Sequence, residues 1–414
     1  QNFAPLMLNL WCFIFPERKV FCLWEDNMKE FIITNVSIID SHNNLNRVKK
    51  EIRVCNGKIA EISENIKKDN LEVIDGNNSF LSAGMIDVHV HNRLRNQPGR
   101  KNESALESID MIGVDRGVTT VVECGSVCID DIKQFVTEVD NAKTRYYGLL
   151  SGHGEDGFGT AGSQDVSKIF PEHYYKVVED YPEYIVGLKV ACSNTITNDK
   201  GYGLVKKAKE ISSHLNMPLM IHVGNFPPDP CGLVEFLDEG DIVTHTYHGK
   251  EISLFKPDGT PKDSFVRARE RGVLFDVGHG SASFSWTVYD KARRKGFIPD
   301  LISTDIRALN INGPVYSLAT VMSKIMNLGM SLEDVVNCVT YNAAKAIHKN
   351  DLGEIRVGAT ADFTFFNVKD VDIELVDCYY QMQHLNKLIC PTQVIVSKGE
   401  DSEIYKCTAG DPTK

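Results

Sequence analysis

The 414-residue sequence predicts an α/β protein: a (β/α)8 barrel carrying a small β-sandwich domain formed by the N- and C-terminal segments. Three observations predict it. Short apolar runs alternate with amphipathic stretches through the middle of the chain, spaced by about 30 residues, the length of one βα unit. Strand-like runs punctuated by Asn-Gly or Asp-Gly fill the N-terminal part, and similar runs return near the C-terminus. No Gly-rich fingerprint follows the first central strand, as a doubly wound dinucleotide-binding sheet would require.

Composition narrows the function classes. A net charge of -11 argues against nucleic acid as the main partner, because a phosphate backbone demands a basic face. No apolar run reaches the roughly 18 residues of a membrane span, so no membrane partner is expected. The eleven cysteines are scattered, odd in number and without a Cys-x-x-Cys pair, which fits free thiols in a reducing cytoplasm. Cys124 and Cys128 are close, but their spacing is poor for a zinc site.

Residues 1–27 are apolar and aromatic, with Trp11, Phe13, Phe15, Phe21 and Trp24, yet lack the basic start and small-residue cleavage site of a signal peptide. They read as an extension of little functional relevance, with Met28 opening the folded part. Residues 28–80 read as strands Phe31–Ile39, Glu51–Cys55, Lys58–Ile62 and Leu71–Ile74, with turns at Asn56-Gly57 and Asp75-Gly76. Residues 355–400 supply Phe363–Val368 and Pro391–Ser397, completing the small β domain. Residues 401–414 read as a tail.

Residues 81–354 form the barrel. Its strands are placed at Gly84–His91, Thr119–Cys124, Arg145–Ser151, Tyr184–Val190, Leu219–Val223, Asp241–His245, Val273–Val277 and Leu301–Asp305. The helices between them are Ile129–Lys143, Leu204–Leu215, Leu233–Glu239, Ser264–Arg271 and Thr287–Lys295. Barrel active sites lie at the C-terminal strand ends. Those ends carry His89 and His91 on strand one, Lys189 on strand four, His222 on five, His245 on six and Asp305 on eight. Residues i and i+2 of a strand share a face, so Asp87, His89 and His91 point one way while Ile86, Val88 and Val90 point the other. Imidazoles and a carboxylate converging at one mouth point to a metal site.

Lys189 is the unusual member. An ammonium has no lone pair and cannot ligate a metal. Burial and nearby positive charge favour the neutral amine, which can add CO₂ to give a bidentate carbamate that bridges two metals. The other reading is a structural lysine paired to Asp305 or Glu123.

These residues resemble the amidohydrolase superfamily of metal-dependent hydrolases. The resemblance runs from Met28 to about Lys398. It is carried by Leu81–His91, by Asn342–Ala346, and by Leu352-Gly353-Glu354-Ile355-Arg356-Val357-Gly358-Ala359-Thr360-Ala361-Asp362. Gly187-Leu188-Lys189, Thr244–Lys250 and Phe275–Phe284 look most like its dihydroorotase-like deacetylase branch, some members of which hydrolyse acetyl esters of α-hydroxy acids. The resemblance implies two divalent metals, zinc by default, acting on a small-molecule substrate. His89, His91 and Asp305 would hold the more buried metal and His222 and His245 the more exposed one, with an N6-carboxylysine at Lys189 between them. Two dications acidify a shared water, which attacks a carbonyl, and Asp305 serves as general base and then acid.

Specificity is read from the loops. His279, in Gly278-His279-Gly280-Ser281, is placed against the substrate or the oxyanion, or else caps backbone groups. Tyr247 and His248 are placed in the pocket wall. Asp87 either orients a ligand histidine or is structural. Val190-Ala191-Cys192-Ser193 is small and neutral where many relatives carry a polar or basic residue, so an anionic substrate group lacks a partner there. Ser151–Thr160 is a lid or a plain surface loop. The leading function is hydrolysis of an acetyl ester or amide. A cyclic amidase, drawing on Asn92-Arg93-Leu94-Arg95 for a substrate carboxylate, and a catalytically silent scaffold are the alternatives. Barrels of this type often pair, so a homo-oligomer is a further expectation.

Overall fold

The computed structural model describes residues 28–93, 106–154, 157 and 165–413. The extension expected over 1–27, Leu94 and Arg95, and most of Glu155–Thr160 lie outside them. Seven strands form one parallel sheet in chain order: β6 (Ile86–Val90), β7 (Thr120–Val127), β8 (Arg145–Ser151), β9 (Ile185–Cys192), β10 (Leu219–Val223), β11 (Ile242–Thr244) and β12 (Leu274–Phe275). β7 and β9 are buried along their whole length, as expected of parallel strands covered on both faces.

The alternation within a strand sets which side chains reach the site. In β10, Leu219, Ile221 and Val223 join Leu204, Val205, Ala208 and Ile211 of helix Gly201–His214 in one apolar cluster. Met220 belongs to a different cluster, and His222 lines a cavity. β6 departs from strict alternation. Its register slips between Asp87 and Val90, and Val90 packs in a different cluster from Ile86 and Val88.

Leu301–Asp305, placed as strand eight, and the adjoining Ile306 form isolated bridges instead of a ladder. Leu301 bridges Asp276 and Ile306 bridges Val90, both in parallel. The Val277 amide donates to the Leu301 carbonyl at 3.1 Å, and the Asp305 amide donates to the His89 carbonyl at 2.7 Å. The sheet curls so that both edges hydrogen-bond to this one segment.

The second sheet is mixed, in the order β15 (Asp401–Lys406), β14 (Met382–Lys398), β13 (Phe363–Val376), β5 (Glu72–Ala83), β1 (Glu30–Ile38), β3 (Glu51–Cys55) and β4 (Lys58–Ser63), with β2 (Val48–Lys49) on the end of β1. Both ends of the chain contribute, as expected. Asn56 and Gly57 have φ of 50° and 68° between β3 and β4, the signature of a tight hairpin turn. Three expectations change. Asp75-Gly76 does not turn the chain, because β5 runs straight through it and absorbs a register shift opposite Thr34 and Val36. Residues 401–406 are no tail but a strand paired to β14. β13 and β14 are 14 and 17 residues long, far beyond the runs placed at 363–368 and 391–397, and pair along most of their length.

The two sheets meet at β5 and β13. The Gly84 amide donates to the Asp362 carbonyl at 2.7 Å. Arg145 of β8 forks onto the Asp362 carboxylate at 3.1–3.2 Å and donates to the Ser397 carbonyl. Helices Pro171–Asp180, Leu318–Asn327 and Leu332–Val339 were not placed by the sequence reading.

Candidate metal centre and active-site cavity

At the C-terminal ends of the parallel strands lies a cavity of about 330 Å³ lined by His89, His91, Lys189, His222 and Asp305, among others. His89 Nε2 lies 3.3 Å from His91 Nε2, and His91 Nε2 lies 3.1 Å from Asp305 Oδ1. His89, His245 and Asp305 can each offer one ligand atom within 4.8 Å of the others. The His222 and His245 rings sit 4.3 Å apart, edge to face. Donor atoms about 2 Å from a common tetrahedral ion lie about 3.3 Å apart, so these spacings suit a cation.

Three of the imidazoles, His89, His222 and His245, are prepared as neutral ligands. Burial first, then the surrounding positive charges, holds His89 and His222 well below the usual histidine range. Burial pushes His245 down to about 3, against the pull of Asp305. His245 Nδ1 lies 2.6 Å from the Gly278 carbonyl, which can only accept. Its proton therefore sits on Nδ1, leaving the Nε2 lone pair free. His89 Nδ1 meets Thr244 Oγ1 at 3.0 Å, and that hydroxyl donates to Asp276 Oδ2 at 2.6 Å. The Thr244 oxygen must then accept from His89, which again frees Nε2. Such outer hydrogen bonds fix tautomer and ring orientation at metal sites.

Lys189 lies buried on β9 beside His89 Nε2 at 3.2 Å, Cys124 Sγ at 3.1 Å and Met220 Sδ at 3.2 Å. Among the described residues, no carboxylate lies within 4 Å of its amine. Glu123 is taken by the Tyr146 hydroxyl at 2.6 Å, by the amides of Asn92 and Arg93, and by Ser126. The lysine pair with Glu123 or Asp305 is therefore not formed. An imidazole and two sulfurs are the nearest partners of this amine.

Asp305 has φ of 49° and His245 φ of 68°, so both leave their strand ends in the left-handed region, a strain often stored at functional sites. Burial would raise the Asp305 pKa, yet the bond and charge of His91, with His245, hold it well below the carboxylate range. Gly278 and Gly280 explain the glycine-rich loop. A Cβ on Gly280 would come 2.3 Å from Asp305 Oδ2, and one on Gly278 2.1 Å from Thr244 Oγ1.

The structure brings His89, His91, Lys189, His222, His245 and Asp305 together, but not the expected substrate residues. His279 is buried behind the loop, with Nε2 2.9 Å from Lys324 Nζ and its ring stacked on Phe284. Tyr247 is core, packed on Phe255 and Tyr289, with its hydroxyl donating to the Phe297 carbonyl. His248 is buried and accepts from the Lys250 amide at 3.2 Å. None of the three lines the cavity. Asp87 holds backbone rather than an imidazole: it accepts from the His89 and Thr304 amides and from the Thr304 hydroxyl at 2.5 Å. Cys124 and Cys128 form no metal pair, since Cys128 Sγ turns to the Ser126 carbonyl.

Residues the sequence reading missed take their place. Lys250 and Arg307 line the cavity, as do Ser193, Asn225, Ser281 and Ser283. His153 lines it too and accepts from the Ala191 amide through Nε2 at 2.9 Å. Lys250 closes the Thr244–Lys250 motif and Arg307 lies two residues beyond Asp305, so both were within reach of a loop-by-loop search.

The amidohydrolase family profile matches residues 282–400. A curated protein of Enterococcus faecalis named deacetylase is 31% identical over 365 residues, covering 87% of this chain and 97% of that protein. A solved structure titled as an adenine deaminase superposes with a TM-score of 0.82 at 31% identity, over 91% of this chain and 99% of the other. One titled as a dihydroorotase gives 0.80 at 30%, over 94% and 100%. The chain belongs to the amidohydrolase family, and it is a hydrolase. The silent-scaffold alternative falls. These neighbours imply a TIM barrel for the curled parallel sheet, and the family typically uses divalent metals. No helix among the described residues is long and apolar enough to cross a membrane.

Proposed function

We propose that this chain is a binuclear metal hydrolase that cleaves an acetyl ester or amide of a small, carboxylate-bearing molecule. One observation carries the reading: the buried Lys189 amine, without a carboxylate partner among the described residues, sits beside His89 where neutral imidazoles converge. A carbamate there would give the site the bridging anion it lacks. His89, His91 and Asp305 would hold one ion, His222 and His245 the other, with zinc favoured by the imidazole and carboxylate donors. Bound there, the ions would supply Lewis acidity and hydroxide at neutral pH. On this reading, strands β6–β12 and segment 301–306 make one closed eight-stranded barrel.

The chain's own groups supply the rest. Asp305 is ionised and faces the cavity, so it can take a proton and return it to the leaving alkoxide or amine. Among the described residues, Lys250 and Arg307 line the cavity beside Lys189, and they would replace the anion partner that Val190–Ser193 does not provide. Each charged hydrogen bond to a carboxylate is worth about 1.5–3 kcal/mol. The deacetylase name of the relative supports acetyl cleavage.

The dihydroorotase neighbour keeps a cyclic amidase as the second reading. It loses one candidate, because Arg93 is buried and committed to Asp131 and Glu138 at 2.5 Å. Zinc-loaded enzyme offered O-acetyl-lactate, an N-acetyl amino acid and dihydroorotate separates the two. Acetate release, abolished by Lys189→Ala, is expected. Opening of the dihydroorotate ring without acetate release would reverse the assignment.

A further inference from the structure

The long β13–β14 hairpin reaches from the mixed sheet across to the cavity rim. Its tip, residues 377–381, is tied down by bonds that no sheet requires. The Cys378 amide donates to the Phe284 carbonyl at 3.2 Å. The Trp286 indole donates to the Gln381 carbonyl at 2.9 Å, and the Trp286 amide donates to Asp377 Oδ2 at 3.1 Å. Asp377 Oδ1 also accepts from the Tyr379 and Gln381 amides, which rigidifies the turn that presents Tyr379.

Tyr379 is the member that spans two loops. Its hydroxyl accepts from the Gly249 amide at 2.8 Å and donates to the Ala282 carbonyl at 3.2 Å. Gly249 immediately precedes Lys250, and Ala282 lies between Ser281 and Ser283. Lys250, Ser281, Ala282 and Ser283 all line the cavity. The contact is close enough that a Cβ on Gly249 would stand 3.0 Å from the Tyr379 ring. A phenol is suited to this bridge, since one oxygen serves as both acceptor and donor. Burial pushes its pKa up to about 12, so the donating proton is retained through the neutral range.

From this we infer that Tyr379 is a positioning residue for substrate specificity: a side chain of the second sheet that fixes the Lys250 loop against the Ser281–Ser283 loop and so sets where the substrate's anionic group is held. The inference rests on the function proposed above for its substrate class. It does not touch the metal ligands, and the bond-breaking step is left to Asp305.

The test is Tyr379→Phe, which keeps the ring and removes both hydrogen bonds, in zinc-loaded enzyme. Amide hydrogen exchange at residues 249–252 and 281–284 is expected to quicken by about tenfold, with β7 and β9 unchanged. On O-acetyl-lactate, KM rises about five- to tenfold while kcat stays within about twofold. On its neutral methyl ester neither constant moves. Tyr380→Ala, at a side chain 88% exposed on the same tip, leaves exchange and kinetics as in wild type. Unchanged exchange at Gly249 overturns the inference, as does a loss of protection spread over the whole parallel sheet. If neither acetyl ester is hydrolysed by wild type, the functional reading fails, and the exchange pattern alone decides whether the brace exists.

Discussion

Lys250 lines the cavity, where its ammonium would meet a substrate carboxylate. Lys250→Met keeps the aliphatic stem and removes the cation, so KM for O-acetyl-lactate should rise roughly tenfold or more, as expected for one charged hydrogen bond. The methyl ester should be hydrolysed as before. Equal losses on both substrates would show that Lys250 acts on something other than the carboxylate. His245 gives a second prediction. It is held neutral in the fold down to about pH 3, whereas in the unfolded chain it titrates near 6.5. Folding therefore has the benefit of the neutral ring above about 6.5 and loses it progressively as pH falls towards 3. Asp87 and Asp276, raised by burial to about 7 and about 6, act in the opposite sense. The difference between metal-free wild type and His245→Asn isolates the imidazole: the variant's urea stability should fall less steeply between pH 6 and 4, by up to about 1.4 kcal/mol per unit. Parallel pH profiles would contradict the assigned protonation.

The six residues that the structure brings together were legible because they close apolar runs, and in β9 and β10 the twofold period fixes which side chains point inward. The other residues of the cavity were not. Tyr247, His248 and His279 follow strands six and seven directly, but the chain turns away and spends them on packing and on Lys324. Lys250 and Arg307 reach the cavity through loop paths that no periodicity encodes.

Among the elements, the glycine-rich loop after β12 is tightly confined against the site. Its backbone passes so close to Asp305 and Thr244 that any Cβ collides, and Gly278 and Gly280 have φ of 49° and 56°. Gly280→Ala should lower kcat/KM by about a hundredfold or more by displacing the Asp305 carboxylate, while far-UV circular dichroism remains native. Near-normal activity would mean that Asp305 tolerates movement and is not the proton carrier. The hairpin β13–β14 shows the opposite limit of sequence reading. The outer half of β13 alternates in Asp370-Val371-Asp372-Ile373-Glu374-Leu375, a strand signal that was passed over, whereas Gln383-His384 and Asn386-Lys387 break that period in β14. Leu301–Asp305 hydrogen-bonds to both edges of the parallel sheet, yet its bridges are too few to make the strand expected there.

For the whole molecule, the junction of the two sheets rests on Arg145 and Asp362. Removing the carboxylate leaves a mostly buried guanidinium without its partner, a loss of about 3–5 kcal/mol. Asp362→Ala should lower the urea midpoint accordingly while the metal content of the folded fraction is unchanged. An unaltered midpoint would show that the other bonds across the junction, such as Lys398 to the Ala142 carbonyl and Thr364 to the Gly117 carbonyl, hold the sheets together unaided.

The central claim is that six side chains, distant in sequence, hold two ions with a carboxylated Lys189 between them. Elemental analysis of protein purified with zinc and bicarbonate tests it most directly. About two zinc ions per wild-type chain are expected, and about one or fewer in Lys189→Ala; less than about half an ion per wild-type chain would overturn the binuclear centre.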